Sequence, residues 1–374
     1  MENYIFTSES VTEGHPDKVC DQISDAILDA CFEQDKNSRV ACECFAGKDF
    51  LVISGEITTN AKVDYEKVAR ETIEEIGYTD SDSPFNCYNT KIDIRINTQS
   101  PDIAQGVDIG GAGDQGIMFG YACNETPELM PAPIQYAHNL AKRMAFLRNN
   151  DTTYTNIFKP DGKTQVSMTY EKGRPVGIDT ILVSTQHFAG FTSESLKELI
   201  TTDVIIPTFR NTEFDLSDTK ILVNPTGKFV IGGPEGDTGL TGRKIIVDSY
   251  GGYSRHGGGA WSGKDPTKVD RSASYMARYI AKAIVANGMA DKCEIQLAYA
   301  IGVAEPVSVY VNTFGTGKMS DTEIVATIKN RFNMTPAGII KELNLLNTKY
   351  KPLAAYGHIG RTDLNVSWER IAVL

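Results

Sequence analysis

Apolar residues recur three and four positions apart between residues 17 and 35, with Val19, Ile23, Ile27 and Ala30 on one face, and this spacing predicts a helix. The pattern then switches to alternation in "RVACECFAG" and "FLVISGEIT", predicting two strands, and returns to helical spacing in "DYEKVARETIEEIG". The order helix, strand, strand, helix comes round twice more. Helix "PIQYAHNLAKRMAFLRNN" leads to "TQVSMTYEKGRPVGIDTILVST", a hairpin turning at Lys172 and Gly173, and then to helix "SESLKELITTDVIIPTF". A third pass runs through helix "DRSASYMARYIAKAIVANG", strands "CEIQLAYAIG" and "PVSVYVNTFG", and helix "SDTEIVATIKNRF". Strand candidates "TKIDIRIN" and "TKILVN" follow the first two passes. The passes share negligible sequence identity, so a triplicated α+β unit with helices on one sheet face is predicted from the order of elements alone.

At 374 residues the chain should form two or three units with ample core. A net charge of −11 argues against a general nucleic-acid binder or a protein held on anionic membranes. The segment "MENYIFTSES" lacks a basic stretch followed by an apolar core, and no apolar run approaches about 18 residues. Neither a signal peptide nor a membrane span is expected, and the expected compartment is the cytosol. The cysteines, Cys20, Cys31, Cys42, Cys44, Cys87, Cys123 and Cys293, are odd in number and scattered, which predicts reduced, partly buried thiols.

Candidate chemistry begins at "TEGHPDKVCDQISDAILDA", where Pro16 and Asp17 suit a helix start. His15 and Lys18 add hydrogen-bonding and cationic groups at a place that also suits phosphate. Asp21, Asp25 and Asp29 continue from Asp17 at i+4 spacing and are read as a solvated helix face. Residues 228–271, 44 in all, hold 11 of the 33 glycines and seven Lys or Arg against five Asp or Glu, so an acidic chain concentrates positive charge where backbone amides can approach a polyphosphate. "GAGDQG" fits G-x-G-x-x-G but precedes a strand-like "IMFGYA", which rules out a dinucleotide fingerprint and leaves Asp114 as a turn residue or a metal or substrate contact. "GGAWSGKD" narrowly misses a P-loop, with Asp265 in place of the hydroxyl and Pro266 after it, yet Lys264 remains a candidate phosphate contact. Arg243 and Lys244 open an apolar, strand-like run, either solvated or facing phosphate with Lys228, Lys264 and Lys268. Isolated carboxylates at Asp17, Asp161 and Asp270 suit Mg2+, which takes one or two carboxylates plus phosphate oxygens. His138, His187 and His358 lack ligand spacing and are read as structural; His256 beside Arg255 stays open.

Together "FTSESVTEGHPDKVCDQISDA", "GEITT", "QSPDIAQGVD", "GAGDQGIMFGYA", "LMPAPI", "NPTGKFVIGGPEGDTGLTGRKIIVDSYGG", "RHGGGAWSGKDPTKVDRSA" and "YAIGVAEP" resemble the S-adenosylmethionine synthase family, in its order and over nearly the whole chain. The resemblance implies an α+β fold of three intertwined repeats of a two-layer α/β unit with pseudo-threefold symmetry. It divides the chain into an N-terminal repeat (1–98), a mobile gating loop (99–111), a central repeat (112–231) and a C-terminal repeat (232–374). It implies that the sulfur of L-methionine attacks C5′ of ATP, and that the expelled triphosphate is hydrolysed to pyrophosphate and phosphate. By position, His15 would contact the triphosphate and its departing oxygen, Asp17 and Asp270 would hold two Mg2+, and Glu43 matches the position associated with K+. Glu56, Gln99 and Lys268 match methionine contacts, and Asp237 would face both substrates. Asp161, Lys163, Lys228, Phe229, Arg243, Lys244, Ala260 and Lys264 match the ATP site, with His15, Lys163, Arg243 and Lys264 as the catalytic set. The family implies active sites shared within a homodimer, often paired into a tetramer, and no nucleic acid or membrane. Two departures stand out: Trp261 replaces the usual Phe, which puts a bulkier ring beside Lys264, and only Ile109 and Gly110 separate "QGVD" from "GAGDQG".

A phosphotransferase would use similar phosphate contacts but release ADP or AMP, and the chain lacks a Walker or kinase motif set. A nucleotide-binding regulator would bind the substrates without turnover.

Overall fold

The computed structural model of the chain describes residues 3–98 and 110–374. Its first stretch comprises β1 (Tyr4–Val11), α1 (Pro16–Gln34), β2 (Arg39–Gly47), β3 (Phe50–Thr58), α2 (Tyr65–Ile76) and β4 (Lys91–Asn97). The second comprises β5 (Gly116–Cys123), α3 (Ala132–Asn150), β6 (Phe158–Glu171), β7 (Arg174–His187), α4 (Ser193–Leu199) and β8 (Lys220–Val223). The third has a short β9 (Gly239–Leu240), α5 (Val269–Ala286), β10 (Lys292–Tyr299), β11 (Ser308–Asn312), α6 (Asp321–Arg331) and α7 (Pro336–Glu342). Helix, strand, strand, helix therefore recurs as predicted. Lys172 and Gly173 both adopt positive φ, as a two-residue hairpin turn requires.

The strands form three sheets, ordered β1-β6-β7-β8, β9-β2-β3-β4 and β5-β10-β11. In each, a hairpin receives on one side an antiparallel strand from another stretch. The first stretch lends β1 to the second, the second lends β5 to the third, and the third lends β9 back to the first. In two sheets a parallel strand, β8 or β4, closes the other edge. Helices α1, α3 and α5 lie on β2, β6 and β5 respectively. This is an α+β fold of three intertwined, pseudo-threefold repeats.

Val19, Ile23 and Ile27 are buried as their spacing predicts, in one core with Ile53, Ile73, Ile280 and Leu297. Val166, Ile181, Leu140 and Met144 belong to a second core in the central stretch. All seven cysteines are unpaired and buried. No helix among the described residues is long and apolar enough to cross a membrane.

Two local expectations fail. Helix "SESLKELITTDVIIPTF" is interrupted by a π-helical turn at Ile200–Ile205. Pro207 has no amide to give Asp203, whose carbonyl instead accepts from Arg143 Nε at 3.0 Å. The strand-like run after Lys244 closes as one helical turn, Ile245–Asp248, with Asp248 N bonded to Lys244 O at 2.8 Å.

Candidate active site

Helix α1 starts with Pro16 at its first position and His15 as its N-cap, where His15 Nδ1 accepts from the Asp17 amide at 3.2 Å. Burial, reinforced by the charges of Lys244, Lys163 and Lys18 and opposed by Asp17, lowers the imidazole to about 3. A neutral ring whose Nδ1 accepts carries its proton on Nε2. Asp17 Oδ1 accepts from the Leu240 amide at 3.0 Å and Oδ2 from Lys244 Nζ at 2.5 Å, with Arg243 Nε at 3.5 Å from Oδ1. Burial alone would raise this carboxyl, but the Lys244 and Leu240 hydrogen bonds hold it below its usual range.

The reading of Asp21, Asp25 and Asp29 as a solvated face is overturned, because all three are buried. Helix α1 is covered by its sheet on one side and by glycine-rich loops on the other. Asp21 accepts from the Gly242 amide at 2.8 Å and from Lys18 at 3.0 Å. Asp25 accepts from the Gly263 amide at 2.8 Å and takes Arg271 bidentately at 2.6 and 2.8 Å. Asp29 accepts from the amides of Tyr350 and Lys351 at 2.8 and 3.0 Å. Between them, Ser24 Oγ lies 2.7 Å from Thr241 Oγ1. Gly263, at φ 80°, has no room for a side chain, since a Cβ would lie 1.9 Å from the Cys42 carbonyl.

The described site residues fall into two groups. In the first, β1 pairs with β6 so that Val11 lies opposite Lys163, and the Thr12 amide bonds to Gly162 O at 2.9 Å. The mouth of α1 thereby sits beside Asp161 and Lys163. Asp161 Oδ2 accepts from the Gly233 amide at 2.8 Å, while buried Oδ1 has no partner among the described residues. Burial, aided by the charge of Asp237, pushes this carboxyl up to about 6 against the Gly233 bond and Lys163. Arg243 and Lys163 are exposed, as is Lys228; the Phe229 amide donates to His187 Nε2 at 3.1 Å.

In the second group, Lys264 Nζ lies 2.9 Å from Asp270 Oδ2, and Gly259 presses on that carboxylate, where an added Cβ would come within 2.2 Å of Oδ1. Lys268 Nζ pairs with buried Asp265 at 2.6 Å. Ala41 bridges to Lys264 and lies opposite Glu56, while Glu43 lies opposite Ser54. Glu43 and Glu56 are on the open face of this sheet, opposite the buried face of Cys42, Cys44 and Ile53. Asp114 is exposed and accepts from the next amide, Gln115 N, at 2.7 Å, a turn contact. Gln99 and most of the expected gating loop lie outside the described residues. Among the described residues no hydrogen bond or ion pair joins the two groups, although their loops touch where Gly242 meets Ala260.

The ring of Trp261 is directed into the core, edge-on to Tyr275 and His358 at centroid separations of 5.6 and 5.1 Å, rather than crowding Lys264. His138 and His358 are buried, and His256 Nδ1 accepts from the Gly258 amide at 2.8 Å. Sequence reasoning missed Asp21, Asp25 and Asp265. For Asp21 and Asp25 the signal available was their spacing, carboxylates every fourth residue on a helix whose remaining residues are largely apolar or small; Asp265, in a loop, carried no such signal.

No cluster of three or more His, Cys, Asp or Glu able to cage a metal occurs among the described residues. Asp17 and Asp270 are single hard-oxygen donors, each beside a lysine, on separate segments. That donor set fits a divalent cation bound chiefly through phosphate oxygens.

Fold and site together describe an α+β enzyme with cations gathered around a helix mouth. Models of the N-terminal, central and C-terminal domains of S-adenosylmethionine synthetase match residues 3–101, 109–229 and 231–370. The chain is 56% identical over 398 aligned positions to the S-adenosylmethionine synthase of Trichormus variabilis, covering 98% of this chain and 94% of that protein. It is 55% identical to those of Gloeothece citriformis over 397 positions (98% and 94%) and Thermosynechococcus vestitus over 399 (98% and 95%). The chain belongs to the S-adenosylmethionine synthetase family, and it is an enzyme that transfers an adenosyl group to methionine.

Proposed function

We propose that the chain joins ATP and L-methionine by attack of the thioether sulfur on C5′, expelling triphosphate, which it then hydrolyses to pyrophosphate and phosphate. The observation that carries this reading is the placement of His15 at the mouth of α1, its Nδ1 held by the Asp17 amide and its ring amid the charges of Lys244 and Lys163 in a protein of net charge −11. Sulfur is a neutral nucleophile and needs no base. The barrier lies in alignment and in the charge gathering on the leaving oxygen, which fixed donors stabilise. His15 supplies Nε2–H to that oxygen, and Lys163, Arg243 and Lys264 supply positive charge along the chain of phosphates, with Lys228 and Lys244 beside them. Phe229, Ala260 and Asp161 complete the ATP pocket, and Glu56, Gln99, Asp237 and Lys268 orient methionine. Two Mg2+, held by Asp17 and Asp270 with Asp114 nearby in sequence to the gating loop, and K+ at Glu43 would neutralise and order the polyphosphate when bound.

Separation of the site residues into two groups supports a homodimer in which each active site takes one group from each subunit. Apolar Phe45, Ile94, Ile117 and Tyr310, all exposed strand residues, suit such an interface. We extend the reading to a dimer of dimers, to repeats bounded at 98, 112 and 232, to a gating loop at 99–111 and to a cytoplasmic location. The test is to incubate protein with ATP, methionine, Mg2+ and K+ and identify products by mass spectrometry with a phosphate assay. The sulfonium adduct with pyrophosphate and phosphate is expected; ADP or AMP without it would refute the reading.

A further inference from the structure

The loops that carry Arg243–Lys244 and Lys264 are rich in glycine, with Gly242 and Gly263 both at positive φ, so their own chain gives them little reason to hold one shape. Each is tied to α1 by a buried carboxylate: Asp21 through the Gly242 amide and Asp25 through the Gly263 amide, both at 2.8 Å. A carboxylate close to a catalytic cation would ordinarily cancel its field. Here each has its own buried counter-charge, Lys18 for Asp21 and Arg271 for Asp25. The loops are thus gripped by carboxylates whose charge is already met, so Asp21 and Asp25 add nothing to the pairing of Lys244 with Asp17 and of Lys264 with Asp270.

We propose that Asp21 and Asp25 are positioning residues, setting Arg243–Lys244 and Lys264 each against the triphosphate of the site it serves, through the amides of Gly242 and Gly263. The inference rests on the reading in which those cations face phosphate. Asp29 provides an internal control, since it makes the same kind of contact from the same helix to Tyr350 and Lys351, a segment that carries none of the site residues.

The experiment compares Asp21→Ala, Asp25→Asn and Asp29→Ala with Lys244→Ala and Lys264→Ala, at a temperature where each is folded. Asp21→Ala should lower kcat about tenfold to a hundredfold, the cost of small displacements of catalytic groups, with KM for methionine changed by less than about twofold. Its Gly242 amide should exchange hydrogen faster than in the parent. Asp29→Ala should lower Tm yet keep kcat within about twofold. Asp25→Asn strips Arg271 of its counter-charge; should it fail to fold, Asp21→Ala decides, because Lys18 keeps Asp248 as a partner. Loss of activity in Lys244→Ala with full kcat in Asp21→Ala would overturn the positioning role and leave the site reading standing. An equal loss of kcat in Asp29→Ala would reduce the effect to stability and overturn it too. Full activity in both lysine variants would overturn the site reading, and this inference with it.

Discussion

Replacing Lys264 by Ala separates a catalytic role from a structural one, because the structure assigns the two very different magnitudes. Lys264 pairs with Asp270 at 2.9 Å, but both side chains are about one quarter exposed (25% and 26%). A pair so placed contributes about 0.2–1 kcal/mol to stability, which for a chain of this size shifts Tm by no more than about 4 °C. If Nζ faces the charge that develops on the triphosphate, its loss costs about 2.7–4 kcal/mol in the transition state, a fall of about 10²–10³ in kcat. Initial rates of sulfonium formation at saturating ATP and methionine give the second quantity, and scanning calorimetry gives the first. The expected outcome is a crippled enzyme with a nearly unchanged melting curve. A kcat/KM close to the parent value would return Lys264 to a surface ion pair, and a large drop in Tm would show that the pair holds the loop rather than the phosphate. Lys268→Ala is the contrasting case: its partner Asp265 is buried and also accepts from the Val40 amide at 2.7 Å, so stability and activity should fall together.

Three further outcomes follow from single groups. Asp17→Asn should raise the Mg2+ concentration needed for half-maximal rate without unfolding the chain, and parent-like activity at limiting Mg2+ would remove Asp17 from the metal. Gly263→Ala should cost at least about 2 kcal/mol, since it adds a Cβ at φ 80° against the Cys42 carbonyl, and an unshifted urea midpoint would contradict the packing. His138 is buried, and burial together with Lys142 holds its imidazole well below 6.5. Protons therefore bind it more readily in the unfolded chain, so stability present above about pH 6.5 is lost as the pH falls; His138→Gln should flatten that slope by up to about 1.4 kcal/mol per pH unit, and an unchanged slope would show the ring is protonated when folded.

What could be read from sequence was whatever depends on near neighbours. The helical spacing of Val19, Ile23 and Ile27, the alternation in β2 and β3, and the hairpin at Lys172–Gly173 are all local signals, and all reappear in the fold. The family's motifs likewise named the candidate site residues, which the fold gathers into two groups. The ladder of Asp21, Asp25 and Asp29 was misread because a carboxylate's fate depends on what lies over it, and the covering loops come from more than two hundred residues away. The same holds for Arg243–Lys244: three β-branched or apolar residues favour a strand in isolation, yet the loop is already tied to Asp17 and Asp21 and closes into a turn.

Strand exchange is the least legible feature and the one on which the site depends most. Each lent strand delivers a site segment to the start of a helix in another repeat or at its own mouth. Pairing of β1 with β6 draws Thr12 to Gly162, which sets His15 beside Asp161 and Lys163. The two-residue β9, paired with Phe45 and Ala46, lays Leu240 and Lys244 against Asp17. Strand β5 opens at Gly116, where an added Cβ would lie 3.6 Å from Asp270 Oδ1, so the Asp114 turn reaches the first turn of α5. Had each repeat kept its own strand, these three encounters would not occur: His15 would lie apart from Asp161 and Lys163, Lys244 apart from Asp17, and the Asp114 turn apart from Asp270. Intertwining the repeats is therefore the step that assembles the two groups of candidate site residues, and it explains how motifs scattered from residue 15 to residue 270 come to lie on neighbouring loops, which touch where Gly242 meets Ala260.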